Sequence, residues 1–310
     1  MRRILKLLVP PIFVYLYRFL VAFIKKHTQR PVVQLPVQKD PEALLIEQEI
    51  EKGLILKDKY RDKRVFIVGT GKSIKTQNLL PLKNEVVIGL NEFYLHEQIE
   101  SICPKYSLFS GFRNHEATMS REVAQKWYTR FESTLRKIGS TALLPAKEYG
   151  FIKEINVFQQ PDSDVLFINM IHEPKDIEKY KFTSPGEAYT GQSVSVMAIC
   201  HAIFMGAKEI YLLGLDHDWI LTVLENRQDH FYNDSDSEVY KNQEKESKFS
   251  LLDDYLYSYV LLFEQYKAIE KFAKAEGIKI INLTPGGLLD IFERGKLEDV
   301  LKQEVPSCKN

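Results

Sequence analysis

"TGQSVSVMAICHAIFMGAKEIYLLGLDHDW", residues 190–219, decides the fold class. Small polar residues fill Thr190–Ser193. An apolar helix is expected from about Val194 to Met205, closed by Gly206. A short apolar strand, Glu209–Leu213, follows and runs into Gly214 and Asp216. A helix feeding a strand that ends in polar residues is one unit of a layered α/β sheet. Open parallel sheets bind ligands where their strands end.

The same pattern extends outward on both sides. Upstream, "RVFIVGTGKSI" carries an apolar run, Val65–Val68, into a glycine turn, and a buried strand entering a helix N-terminus is expected. "EVVIGLNEFYLH" carries a second strand, Val86–Leu90, ending at Asn91. "YSLFSG" and "VLFINM" read as further strands, and residues 115–138 as a polar helical stretch. Downstream, residues 221–250 are polar and irregular, with seven acids and four bases, which suits a functional lid. Residues 251–276 form an amphipathic helix, "IKIINLT" a last strand before Pro285-Gly286-Gly287, and a terminal helix closes the chain. The expected fold is α/β: a Rossmann-like, mostly parallel sheet with a lid, preceded by an N-terminal membrane-associated helix. Residues 61–220 form the nucleotide-binding domain, 221–250 the lid, and 251–310 a helix-strand-helix that completes the domain.

Composition bounds the function. The 310 residues hold 42 Lys+Arg and 42 Asp+Glu, with 45% hydrophobic and 27% charged residues, the balance of a globular protein. This excludes a mainly disordered chain, a collagen-like chain and a polytopic membrane protein. Three scattered cysteines, Cys103, Cys200 and Cys308, build no disulfide framework and point to a reducing compartment. Residues 1–30 carry seven bases (Arg2, Arg3, Lys6, Arg18, Lys25, Lys26, Arg30) and no acid. The rest of the chain therefore has 35 basic and 42 acidic side chains, and no basic excess with which to bind nucleic acid.

The basic end flanks Leu7–Ile24, eighteen residues with one charge, Arg18. As a helix this stretch is about 27 Å long, close to the thickness of a bilayer core. A cleaved signal peptide is disfavoured, because Lys25 and Lys26 follow directly and no small-residue cleavage site is present. A transmembrane anchor has to tolerate Arg18 at about 2.5–3.5 kcal/mol. An interfacial helix starting at Pro10-Pro11 places Ile12, Leu16, Phe19, Leu20 and Phe23 on one face and fits the pattern better. A helix packed on the body or on another subunit is the third reading. Residues 1–30 are accordingly expected at the cytoplasmic face of a bacterial inner membrane, peripheral or single-pass. Residues 31–60 are a linker and a helix.

Four motifs carry candidate chemistry. "GTGKS", Gly69–Ser73, is neither a Walker A loop, since Phe66 stands where the first glycine belongs, nor a dinucleotide fingerprint, since Ile74 replaces its third glycine. Gly69 and Gly71 still permit a tight turn, and a helix behind them is expected to aim N–H groups at an anion. Asn91 offers a donor and an acceptor to a base or ribose. Asp216 and Asp218 fit an Asp-x-Asp pattern and are the candidate metal ligands, with no metal expected as a requirement and Mg²⁺ left open. His230, in "RQDHFYND", lies in the polar lid, whereas His201 lies in the apolar helix and reads as core. Imidazole titrates near neutrality, as a general base must.

Taken in order, the glycine turn, Asn91, "GAKEIYLLGLD", "HFYND" and "GIKIINLTPGGLLDIF" resemble the bacterial sialyltransferases of glycosyltransferase family 42. They equally resemble the enzymes grouped with the archaeal hydroxymethylpterin diphosphokinase. The resemblance spans about residues 61–295. It implies a CMP-activated nonulosonic acid over the glycine turn and a lid histidine that deprotonates the acceptor. Gly69, Thr70, Gly71, Lys72, Ser73 and Asn91 would contact the nucleotide. Thr190, Gly191, Gln192, Ser193 and Asp216 would hold the donor, and His230 would be the base. The family has Asn and Pro where this chain has Thr70 and Lys72, and an aromatic pair with a phosphate-binding Tyr where it has His217-Asp218. Tyr232 or Tyr240 is the candidate replacement for that hydroxyl. The implied function is inverting transfer of a sialic-type acid from a CMP-sugar to a glycan or lipid-linked acceptor, in surface polysaccharide or lipopolysaccharide assembly. A homo-oligomer is consistent with this. The alternatives are a Mg²⁺-dependent diphosphokinase using ATP on a pterin-like alcohol, and a non-catalytic scaffold.

Overall fold

Nine strands line up side by side with every pairing parallel, in the order β6-β5-β4-β3-β2-β1-β7-β8-β9. They are β1 (Arg64–Val68), β2 (Val86–Leu90), β3 (Tyr106–Leu108), β4 (Thr141–Pro145), β5 (Val165–Ile171), β6 (Glu187–Tyr189), β7 (Glu209–Leu213), β8 (Lys279–Asn282) and β9 (Glu293–Arg294). The computed structural model describes residues 41–112, 120–171, 187–189, 193–221, 230–237 and 252–302. The expected membrane-associated helix, Thr190, Gly191, Gln192, Tyr240 and most of the lid lie outside the described residues. Among the described residues no helix is long and apolar enough to cross a membrane. From Leu45 onward the chain gathers into one compact unit.

The central strands are continuous apolar runs because both faces of the sheet are covered. Along β1, Val65 and Ile67 point to one face, and Phe66 and Val68 to the other. The first face meets α3 (Val194–Phe204) and α4 (Leu252–Ala275), which bring Val196, Ile199, Ile203, Leu262 and Tyr266. α1 is Pro41–Lys52, and its Ile46 and Ile50 pack on an aromatic cluster around Trp127, Tyr128 and Phe131. Those three belong to α2 (Arg121–Ile138), which also covers the second face above Ala142 and Leu144.

Local chemistry explains the helix ends. Ser120 caps α2 by accepting from Val123 N, and Gly139 stops it at φ +65, the left-handed conformation that glycine adopts without a Cβ penalty. Ser193 caps α3, and Gly206 follows its end at φ +86.

The strand order places the site. From β1 to β6 the chain steps outward in one direction, and at β7 it returns to the other flank of β1. β1 and β7 therefore bound a topological switch point, the place where open parallel sheets bind ligands beyond the carboxyl ends of their strands.

Candidate functional site

The glycine turn and the β7 exit meet at that switch point. Gly69 N donates to Leu213 O at 2.8 Å, and Gly71 N to Gly214 O at 2.9 Å. A Cβ on Gly69 would stand 2.5 Å from Gly214 O, and one on Gly71 would overlap the Asp216 carboxylate. Gly71 has φ −63, so close approach rather than backbone freedom excludes a side chain there.

The structure corrects one expectation here. No α-helix follows the turn. Lys72–Thr76 is a single 3₁₀ helix, ended by extended Gln77. Thr76 Oγ1 turns back to Ser73 O at 2.8 Å, and Asn78 Oδ1 accepts from Leu80 N at 3.2 Å, both of which favour turns over helix continuation. The N–H groups of Gly69, Gly71, Ser73 and Ile74 all bond within the protein, so these four build no anion nest.

Asp216 is buried and bound to that 3₁₀ helix. Its Oδ1 accepts from Ser73 N at 3.2 Å and its Oδ2 from Ser73 Oγ at 2.7 Å. Burial pushes its pKa up, opposed by the Ser73 hydroxyl, while neighbouring Asp218 pushes it further up. Gly287 packs on the backbone of Asp216, and Leu288 N donates to Asp216 O at 2.8 Å, so the Pro285-Gly286-Gly287 loop walls this corner. Lys72 Nζ pairs with Asp218 Oδ2 at 3.0 Å, with a third of the lysine side chain exposed. The two aspartates are thus engaged by Ser73 and Lys72. Among the described residues no three His, Cys, Asp or Glu side chains gather as a metal site.

Asn91 stands at the end of β2 with φ +47, a left-handed conformation that asparagine tolerates better than most residues. Its Oδ1 is buried without a hydrogen-bond partner. A buried unpaired acceptor at the carboxyl end of a strand suits a ligand donor.

The lid histidine reaches the turn across 160 residues of sequence. His230 pairs with Gly71 as an antiparallel bridge, and Phe231 N donates to Thr70 O at 3.0 Å. His230 Nδ1 lies 3.3 Å from Thr70 Oγ1. The imidazole stacks on the Tyr232 ring at 4.9 Å and an interplanar angle of 5°.

Tyr232 is the candidate for the phosphate-binding hydroxyl. It is buried, and its OH points at Glu92 Oε2 at 3.4 Å. Ser193 is spent as the α3 cap, bonding Ser195 Oγ at 2.7 Å.

Two groups have partners that the sequence reading did not assign. Glu92 is buried. His217, at φ +47, sets Nε2 2.7 Å from Tyr266 OH, which in turn bonds Ser195 Oγ at 2.5 Å. Burial drives the His217 pKa down to about 4, so it is held neutral. His201 is core, as its apolar helix indicates, and burial lowers it to about 4 as well.

A solved structure, the sialyltransferase CstII from Campylobacter jejuni in complex with the substrate analogue CMP-3FNeuAc, is similar to this chain at 17% sequence identity and a TM-score of 0.35. The similarity covers 75% of this chain and 84% of that one. No protein-family model matches the chain, and no curated protein matches it.

Proposed function

We propose that the chain is a nucleotide-sugar-dependent glycosyltransferase that uses His230 as its general base. The observation that carries this reading is the bridge between His230 and Gly71, which sets a lid imidazole directly on the glycine turn at the switch point. The donor we assign is a CMP-linked nonulosonic acid, as the motif resemblance implies. Thr70 and the turn face the nucleotide, and the unpaired Asn91 Oδ1 accepts from a ribose hydroxyl or the cytosine amine.

In the tautomer that carries its proton on Nδ1, facing Thr70 Oγ1, Nε2 is the basic nitrogen. The acceptor hydroxyl oxygen attacks the anomeric carbon, its proton passes to Nε2, and the bond from that carbon to the phosphate oxygen breaks. CMP leaves with the electron pair on its phosphate. Attack opposite the leaving group inverts the centre. The acceptor we assign is a glycan hydroxyl, lipid-linked where the basic N-terminal stretch holds the chain at a membrane surface during polysaccharide or lipopolysaccharide assembly. The diphosphokinase alternative puts Lys72 on a phosphate; in this structure Lys72 pairs with Asp218.

Calorimetric titration of CMP, UMP, ADP and ATP, with and without Mg²⁺, tests this. CMP binding without metal is the expected result. Mg²⁺-dependent ATP binding with no CMP binding overturns the reading.

A further inference from the structure

The turn that follows β2 holds Asn91 and Glu92 side by side, and the two face different tasks. Asn91 keeps a buried, unpaired oxygen at the carboxyl end of β2. Glu92 is turned inward, 4% exposed, and receives donors from two directions. Trp127 Nε1 of α2 donates to Oε1 at 3.2 Å. From the lid segment, Ser237 Oγ reaches Oε1 and Tyr232 OH reaches Oε2, both at 3.4 Å. One buried carboxyl group thus ties the segment that carries His230 to the body of the fold.

Neighbouring contacts hold the same segment in place. Phe231 packs its ring 5.3 Å from His96 and 6.4 Å from Phe93, both just past Glu92 in the chain. Arg130 Nη1 of α2 donates to Asp236 O at 2.8 Å. Glu92 bonds the residue whose ring lies flat against the His230 imidazole. The path is short: Glu92 fixes the Tyr232 hydroxyl, the Tyr232 ring fixes the plane of the imidazole, and Thr70 fixes its Nδ1 edge.

We propose that Glu92 is a positioning residue, which sets the plane of the His230 imidazole over the glycine turn through the Tyr232 ring. In its catalytic consequence this rests on the assignment of His230 as base; in its geometry it does not. Burial raises the Glu92 pKa, and the bonds from Trp127, Tyr232 and Ser237 work against that rise. A carboxyl group with several donors aimed at it also costs more to replace by an apolar residue than by an amide, since stranded buried donors are expensive.

The test uses the full chain with histidine-labelled imidazoles, the His230 resonances being assigned by their loss in His230→Gln. Tyr232→Phe removes the hydroxyl and keeps the stacking ring, so the fold survives. Glu92→Gln keeps an acceptor for Trp127, and Glu92→Ala removes both oxygens. Expected is a progressive loss of the aromatic ring-current shift at His230, small in Glu92→Gln, larger in Tyr232→Phe and largest in Glu92→Ala. Release of CMP from CMP-N-acetylneuraminate is expected to fall about tenfold in kcat in Tyr232→Phe, and up to about a hundredfold in Glu92→Ala, with KM within about twofold of the native value. His230 shifts unchanged in both Tyr232→Phe and Glu92→Ala overturn the proposal. So does a loss of activity that appears in KM alone. Should the native chain release no CMP, the donor assignment falls, while the resonances still decide whether Glu92 sets the ring.

Discussion

Gly71 lies so close to Asp216 that a β-carbon on the glycine would overlap the carboxylate. The acid that ends β7 and the turn that ends β1 therefore form one packed corner, tied by the two bonds from Ser73. Gly71→Ala should lose about 1–3 kcal/mol of stability, because the nearest displaced groups include the Gly214 carbonyl and cannot rotate away. Urea unfolding measures this. Gly139→Ala is the control for a glycine with open space around it, and its penalty should arise from its left-handed backbone alone.

His230→Ala should lower kcat by about 10²–10⁴ while leaving CMP affinity and the unfolding midpoint near their native values. Steady-state kinetics beside calorimetry separate the two. Turnover equal to that of the native chain would remove His230 from the mechanism as its base.

The stability of the chain should depend on pH through Glu148, a fully buried side chain whose pKa burial raises to about 7 although Tyr128 OH donates to it at 2.8 Å. Between its ordinary value of 4.5 and about 7, the native state holds a proton that the unfolded chain has released. Stability from this group is thus full below that window, declines as pH rises through it, and is constant above it. The total is on the order of 3 kcal/mol. His201 and His217, both lowered to about 4, act with the opposite sign and lose stability as pH falls from 6.5. The measurable quantity is therefore the difference between the native chain and Glu148→Gln in urea midpoints across pH. The variant should gain on the native chain as pH rises from 4.5 to 7.

Tyr266→Phe should cost about 1–3 kcal/mol, since it strands the buried His217 Nε2 and removes the bond to Ser195. Thermal unfolding of the variant checks this, and a shift no larger than that of an exposed tyrosine such as Tyr257 would contradict it.

Much of the scaffold was legible from periodicity and punctuation. The helix Val194–Phe204 and the strand Glu209–Leu213 could be read because Ser193 and Gly206 mark the helix ends and the strand is an unbroken apolar run. β4, "TALLP", passed unread: it is short, ends in proline and directly follows a long helix. β6 and β9 have three and two residues and carry no pattern of their own. The helix expected after Gly71 failed for a different reason. Thr76 and Asn78 turn the backbone locally, and the Ser73 N–H and hydroxyl are held by Asp216, 143 residues away, a partner that no local signal reports. The same holds for Glu92, which reads as an ordinary exposed acid until Trp127, Tyr232 and Ser237 converge on it. His230 could be singled out because it sits in a polar segment, but its place beside Thr70 is a fact of the tertiary fold.

The bridge between the glycine turn and the lid is made by main chain. Phe231 N and Thr70 O form it whatever side chains those positions carry, so ordinary substitution leaves this latch intact. Only proline at 231 would delete the donor. That backbone bond is worth only about 0.5–1.5 kcal/mol, so the hold on this segment is shared with the contacts that Tyr232, Phe231 and Asp236 make to the body, and these are the ones that substitution can loosen.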